Sequence, residues 1–218
     1  MSHNLAGALR LVLVTDDALV AGRDLASLCL AAERGGVTSV QLRLKAAAPR
    51  DLAETARALL ARLSVPLFIN DRLDVALAVG AAGAHLGPDD LPIPLARRVV
   101  PPGFFLGASV GSREEVGHGR AADYWGVGPL RATATKADAG RAIGAAGFAA
   151  IRALAPPGTP CVAVGGVGPG DVGAVLAAGG AGVAVVRGIL GAEDVEAAAR
   201  GYADQLAGTY PGRAHARP

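Results

Sequence analysis

The sequence predicts an α/β fold, a single (β/α)8 TIM barrel, on three observations. Short β-rich runs alternate strictly with helical patterns. Eight such units fit within about 200 residues, the size of a small barrel. Polar residues gather at the carboxyl ends of the strands, where barrels build their sites.

The strands are read at residues 11–15 (LVLVT), 39–43 (SVQLR), 66–69 (PLFI), 84–86 (AHL), 104–108 (FFLGA), 124–127 (YWGV), 161–164 (CVAV) and 182–186 (GVAVV). Such apolar runs suit parallel strands buried on both faces. Helical patterns follow at 24–34, 51–63, 72–79, 94–100, 113–119, 145–154, 169–178 and 193–206. A doubly wound open sheet is the competing α/β reading, but its dinucleotide fingerprint places a Gly-rich turn after the first strand. Here Thr15-Asp16-Asp17 follows instead. No composition break marks a second domain. Residues 11–207 are read as one barrel, with tails at 1–10 and 208–218.

Apolar residues make up 51% of the 218 residues and charged residues 18%, which excludes a disordered chain. The net charge is +2 with no basic block, which argues against a nucleic-acid partner. Residues 1–10 (MSHNLAGALR) lack the pattern of a signal peptide. The longest uncharged stretch, 172–186, is glycine-broken and shorter than the roughly 20 residues a membrane span needs. Cys29 and Cys161 sit in apolar runs and read as buried free thiols, so a reducing cytoplasm is expected.

Gln41, Arg43 and Lys45 alternate along the second strand and share one face. A planar fork, a point charge and an amide aimed at a barrel mouth suit a phosphate or diphosphate. The bland alternative is an exposed strand end paired with surface carboxylates. Asn70, Asp71 and Asp90 bring oxygens from the next two strand ends, and two carboxylates plus substrate phosphates suit Mg²⁺. Asp71 could instead cap the helix that follows, and Asp89-Asp90 could merely shape a turn. Gly165-Gly166-Val167-Gly168 leads into a helix, and Arg187-Gly188 ends the eighth strand. Glycines admit close backbone approach, and phosphate often binds after strands seven and eight. Tight turning in a Gly-rich chain is the alternative.

Of the four histidines, His3 and His215 fall in the tails and His118 ends a helix, read on the opposite face. His85, inside the fourth strand, reads as a satisfied core or mouth-lining side chain. No Ser-His-Asp set and no zinc spacing is present. Of Tyr124 and Trp125, at least one is expected in the core.

In their order and placement, Gln41-Leu42-Arg43-Leu44-Lys45, Asn70-Asp71, Gly87-Pro88-Asp89-Asp90, Gly107-Ala108-Ser109, Gly126-Val127-Gly128-Pro129, Thr133-Ala134-Thr135-Lys136 and Gly165-Gly166-Val167 resemble those of the thiamine phosphate synthase family. The likeness runs from Leu11 to about Ala207. It implies a Mg²⁺-dependent transferase that joins hydroxymethylpyrimidine diphosphate to thiazole phosphate, releasing diphosphate. It implies that Gln41, Arg43, Lys45 and Asn70 hold the pyrimidine diphosphate and that Asp71 and Asp90 bind Mg²⁺. Ser109 and Lys136 would face the same substrate, with Lys136 near the departing diphosphate; Arg43, Ser109 and Lys136 would be the catalytic groups. Thr133, Thr135, Gly165 or Gly166, Val186 and Arg187 would surround the thiazole phosphate. The family mechanism, thought to be dissociative, needs no protein nucleophile.

Leu44 stands where the family usually has an acidic residue, Ala132 where it has proline, and Arg187 where many members have serine. Lys45 is followed by Ala46-Ala47-Ala48 rather than a Gly-rich turn. Leu44 belongs to the other strand face, so a packing change is expected there. A thiazole tautomerase of the same fold is the nearest alternative, but those relatives lack the Asn-Asp pair and place a histidine near the position of Pro129. A non-catalytic phosphate-ligand sensor is the third reading. Small-molecule substrates are the expected partners, with no nucleic acid and no membrane, and homo-oligomerisation is left open.

Overall fold

In the computed structural model, which describes residues 4–133 and 140–208, eight parallel strands close into a barrel in the order of the sequence. They are β1 (Leu11–Val14), β2 (Ser39–Leu42), β3 (Leu67–Asn70), β4 (Gly83–Leu86), β5 (Phe105–Ser109), β6 (Tyr124–Val127), β7 (Cys161–Val164) and β8 (Gly182–Val185). β1 pairs with both β2 and β8, which completes the ring. Around it lie α1 (Leu5–Ala8), α2 (Asp17–Val20), α3 (Leu25–Arg34), α4 (Pro49–Leu60), α5 (Leu73–Val79), α6 (Ile93–Ala96), α7 (Val116–Gly119), α8 (Gly144–Arg152), α9 (Val172–Ala177), α10 (Arg187–Leu190) and α11 (Val195–Gly208). A 3₁₀ turn, Pro169–Asp171, precedes α9.

All eight expected strands are present, each displaced by at most a residue or two. The short helices α1, α2 and α10 carry too few residues for a periodic pattern and were not expected. Residues 4–10 depart from the expected tail. Ala8 and Leu9 are buried, and the Ala8 carbonyl accepts from the hydroxyls of Thr38 (3.0 Å) and Ser39 (2.6 Å). Leu9 joins the apolar cluster of the barrel interior, so this segment closes the amino-terminal end of the barrel.

Two apolar cores follow from strand alternation. Leu11, Leu13, Val40, Leu42, Leu67, Ile69, Trp125 and Val127 face outward into the helix layer. Val12, Val14, Phe68, Tyr124, Val162 and Ala184 face inward. The interior aromatics fit because neighbouring strands offer glycine. A Cβ on Gly107 would overlap the Tyr124 ring, and one on Gly83 would lie 2.9 Å from Phe68. Phe68 and Tyr124 then meet edge to face with centroids 5.8 Å apart. This plug fills the lower barrel and leaves the carboxyl end open. Trp125 instead faces the outer core, its Nε1 donating to the Gly119 carbonyl.

Cys29 and Cys161 are buried free thiols, as expected. Among the described residues, no helix is long and apolar enough to cross a membrane.

Candidate active site

One cavity of about 1090 Å³ opens at the carboxyl end of the barrel. Gln41, Arg43, Lys45, Asn70, Asp71, Asp90, Ser109, Thr133, Gly165, Gly166, Val186 and Arg187 all line it. Seven strand ends thus deliver to one space residues that the sequence spreads from Gln41 to Arg187. Thr135 and Lys136 lie outside the described residues.

The basic wall is built on β2 and held from β1. Arg43 continues the inward face of Gln41, and its guanidinium Nη1 lies 3.2 Å from Asp16 Oδ2 with both side chains mostly buried. The Arg43 N–H donates to Thr15 Oγ1 (2.8 Å), and the Thr15 hydroxyl donates to the Arg43 carbonyl (3.0 Å). Thr15 is buried and gives the chain leaving β2 a fixed direction. Asp17 accepts from the N–H groups of Lys45 (2.9 Å) and Ala46 (3.2 Å), so an acid shapes the turn where the family has glycines. Gln41 Nε2 donates to Asn70 Oδ1 (2.8 Å), which fixes both amides beside the cations. Leu44 packs against the outer core, away from the cavity, as its strand parity required.

The acidic corner sits where β3 and β4 end. Asp71 has φ of 63°, a left-handed conformation uncommon outside glycine, and its N–H donates to the His85 carbonyl. It does not cap α5: that helix starts at Leu73, its N-cap is Arg72, and no side chain caps it. The backbone is instead turned so that the carboxylate meets Lys45 Nζ at 3.6 Å. Asp90 Oδ2 accepts from the Gly87 N–H at 2.6 Å, so it does shape its turn. Burial pushes the Asp90 carboxyl up to about 6, and contact with Asp71 adds to this, while the Gly87 N–H and Lys45 oppose it. Two neighbouring carboxylates with one partly exposed lysine between them leave a demand for positive charge. Among the described residues no group of three or more His, Cys, Asp or Glu could hold a metal by itself. A carboxylate pair suits an ion that keeps waters and takes further oxygens from a ligand.

Across the mouth, the β7 and β8 ends are made of backbone. Gly165 and Gly166 have φ of 87° and 63°, and Cβ atoms there would strike Pro129 and the Ala132 carbonyl. Two side-chain-free residues therefore press against the loop after β6 while facing the cavity. Asp171 accepts from the Gly168 N–H (2.9 Å) and pairs with Arg131, fixing the turn. Arg187 is exposed and opens α10 at the cavity rim, and a Cβ on Gly188 would overlap the Tyr202 hydroxyl.

A family model described as thiamine monophosphate synthase matches residues 11–189. The chain belongs to that family. It is 49% identical over 197 residues to a thiamine-phosphate synthase of Azorhizobium caulinodans, covering 88% of this chain and 92% of the relative. A thiamine-phosphate synthase of Methanoculleus marisnigri is 44% identical over 202 residues, covering 90% of this chain and 95% of the relative. The solved thiamine phosphate pyrophosphorylase from Pyrococcus furiosus superposes with a TM-score of 0.81 at 36% identity, covering 94% of this chain and 99% of that one. A 3-hexulose-6-phosphate synthase superposes at 0.65 with 16% identity over 90% of this chain and 99% of that one, a likeness of fold alone.

Several groups in or behind the cavity wall were not among the expected family site residues. Asp16 and Thr15 stand behind Arg43 and do not line the cavity, so their support of it is visible only in three dimensions. His85 lies inside the barrel with Nδ1 3.1 Å from the Tyr124 hydroxyl and Nε2 3.0 Å from Ser109 Oγ. It is the mouth-lining histidine expected from its strand position. His118, read on the opposite face, instead reaches the carbonyl of Leu86 at the carboxyl end of β4 (3.2 Å). Pro129 lines the cavity where the tautomerase reading would want a histidine.

Proposed function

We propose that the chain joins hydroxymethylpyrimidine diphosphate to thiazole phosphate, giving thiamine phosphate and diphosphate in thiamine biosynthesis. One observation carries this reading. A cation-and-carboxylate wall on β2–β4 faces a backbone-lined anion pocket on β7–β8 across a single cavity large enough for two small ligands. A one-substrate isomerase has no need of both halves.

In this reading Gln41 and Asn70 orient the pyrimidine, and Arg43 and Lys45 take the diphosphate. Ser109 contacts the same substrate. Gly165, Gly166, Thr133, Val186 and Arg187 seat the thiazole phosphate; Lys136 and Thr135, on the loop after β6, complete the two sites. The methylene carbon–oxygen bond breaks, and the thiazole nitrogen forms the new carbon–nitrogen bond. Arg43 and Lys45 neutralise the charge growing on the leaving oxygens, an interaction stronger at the transition state than before it. No proton needs to be removed from the nitrogen, so no protein base is required. The cavity walls hold the two substrates in line and keep water from the reacting carbon.

Asp71 and Asp90 would hold Mg²⁺. The fit rests on their contact and on the raised Asp90 carboxyl, which mark a site short of positive charge. When bound, the ion supplies charge neutralisation to the diphosphate. We place the activity in the cytoplasm, in keeping with two unpaired thiols.

The test is incubation of the pure protein with both substrates and Mg²⁺, followed by chromatography for thiamine phosphate. Product is expected only when both substrates are present. Isomerisation of the thiazole without coupling would favour the tautomerase, and tight binding without any product would favour a sensor.

A further inference from the structure

Ser109 reaches the cavity from the end of β5, but a serine hydroxyl can either donate to a ligand or accept from it. What stands behind it settles the choice. Ser109 Oγ lies 3.0 Å from His85 Nε2, and His85 Nδ1 lies 3.1 Å from the Tyr124 hydroxyl. The three side chains form one line from the barrel core to the cavity.

The line has a fixed inner end. Tyr124 is buried, packed edge to face on Phe68 and above Gly107. Burial raises its phenol far above neutrality, so the hydroxyl keeps its proton. Among the described residues its hydrogen-bonding partner is His85 Nδ1. A buried hydroxyl proton without an acceptor is costly, so the phenol donates and Nδ1 accepts. The imidazole proton then sits on Nε2 and points at Ser109 Oγ. A charged imidazolium would carry protons on both nitrogens and orphan the phenol proton in the core.

We propose that Tyr124 and His85 are positioning residues that fix Ser109 as a hydrogen-bond donor toward an acceptor atom of the pyrimidine diphosphate. With its oxygen already accepting from Nε2, the serine has its own proton left for the ligand. The pair thus sets the polarity of one contact in the cavity without touching the reacting atoms. A donor aimed at this corner discriminates against ligands that present an N–H or O–H to Ser109. The proposal rests on the condensation reading for the identity of the ligand, but the direction of the line does not.

Two measurements test it. Two-bond ¹H–¹⁵N spectra of the ¹⁵N-histidine-labelled full chain, assigned by loss of the His85 signals in His85→Gln, read the ring directly. Protonated Nε2 with bare Nδ1 across neutral pH is the expected pattern. Protonated Nδ1, or an imidazolium, overturns the proposal whatever the protein catalyses. The second is a double-mutant cycle on kcat/KM for the pyrimidine diphosphate. Tyr124→Phe should lower it about tenfold, the loss of roughly one well-placed hydrogen bond. In a Ser109→Ala background the same change should cost little, because the line then has no end to act on. His85→Gln, whose amide can donate to Ser109, should keep more activity than His85→Leu. Additive effects, or equal loss in both His85 variants, mean that the trio is only packing. If the wild-type chain makes no thiamine phosphate, the condensation reading fails while the spectra still decide the proton's place.

Discussion

Arg43 is the residue on which the basic wall turns, because it is the one cation of that wall held by a buried acid. Its pairing with Asp16 pre-aims the fork and reduces the side-chain freedom lost on binding. Arg43→Ala should therefore raise the KM for the pyrimidine diphosphate by more than the KM for the thiazole phosphate. A charge-assisted hydrogen bond contributes about 1.5–3 kcal/mol, so a tenfold rise or more is expected from steady-state titration of each substrate. Asp16→Asn should move the same constant in the same direction by less. Asp90 gives a pH prediction for the protein held in chelator. Its carboxyl is raised to about 6, so between about pH 4 and about pH 6 the folded chain holds a proton that the unfolded chain has released. That contribution to stability is complete below the unfolded value and is lost as pH rises through about 6. Denaturant midpoints should fall from about pH 4 to about pH 6 more steeply in the wild type than in Asp90→Asn, and parallel slopes would refute the assignment. At this scale the sequence was legible where strand alternation speaks: Gln41 and Arg43 point into the cavity as their spacing requires, and Lys45, in the turn beyond β2, lines it too. It was silent on Asp16, whose role depends on the distance between two loops.

The elements were legible because a buried parallel strand leaves a run of apolar residues that few other structures leave. Cys161–Val164 and Tyr124–Val127 fall where the runs fall. The one-turn helices α2 and α10 were not, since four residues cannot carry a period of 3.6. Their positions come from tertiary demands: α2 begins at an N-cap that also holds Arg43, and α10 begins at the cavity rim. The same demands make the α3–α11 contact intolerant of volume. A Cβ on Gly35 would lie 2.4 Å from the Glu196 carbonyl oxygen, which is backbone and cannot swing away. Gly35→Ala should cost about 1–3 kcal/mol by overpacking. In a barrel of this size that lowers Tm by roughly 2–4 °C per kcal/mol, readable by calorimetry, with KM values unchanged because the contact is remote from the cavity. An unchanged Tm would show that the helices separate freely.

At the scale of the whole molecule, closure of the ring is what brings distant motifs together. Asp71 and Arg187 are far apart in sequence yet line one cavity because β1 joins β8. The amino-terminal segment, read from sequence as a tail, closes the other end, since polar hydroxyls on Thr38 and Ser39 gave no sign of binding Ala8. Burial drives the thiols of Cys29 and Cys161 up to about 12 and about 11. Neither should react with a thiol reagent until the barrel unfolds as a unit. Labelling in the native state, well before loss of circular dichroism, would mean that the outer core opens locally. The proposed condensation puts both substrates in this one cavity beside a carboxylate pair that would hold Mg²⁺. It is tested most directly by following all phosphorus species by ³¹P NMR in wild type, Asp71→Ala and Asp90→Ala with both substrates and Mg²⁺. Thiamine phosphate and free diphosphate are expected to appear at equal rates in the wild type, with both lost in each folded variant. Wild-type rates in both variants, or diphosphate released without thiamine phosphate, would contradict it.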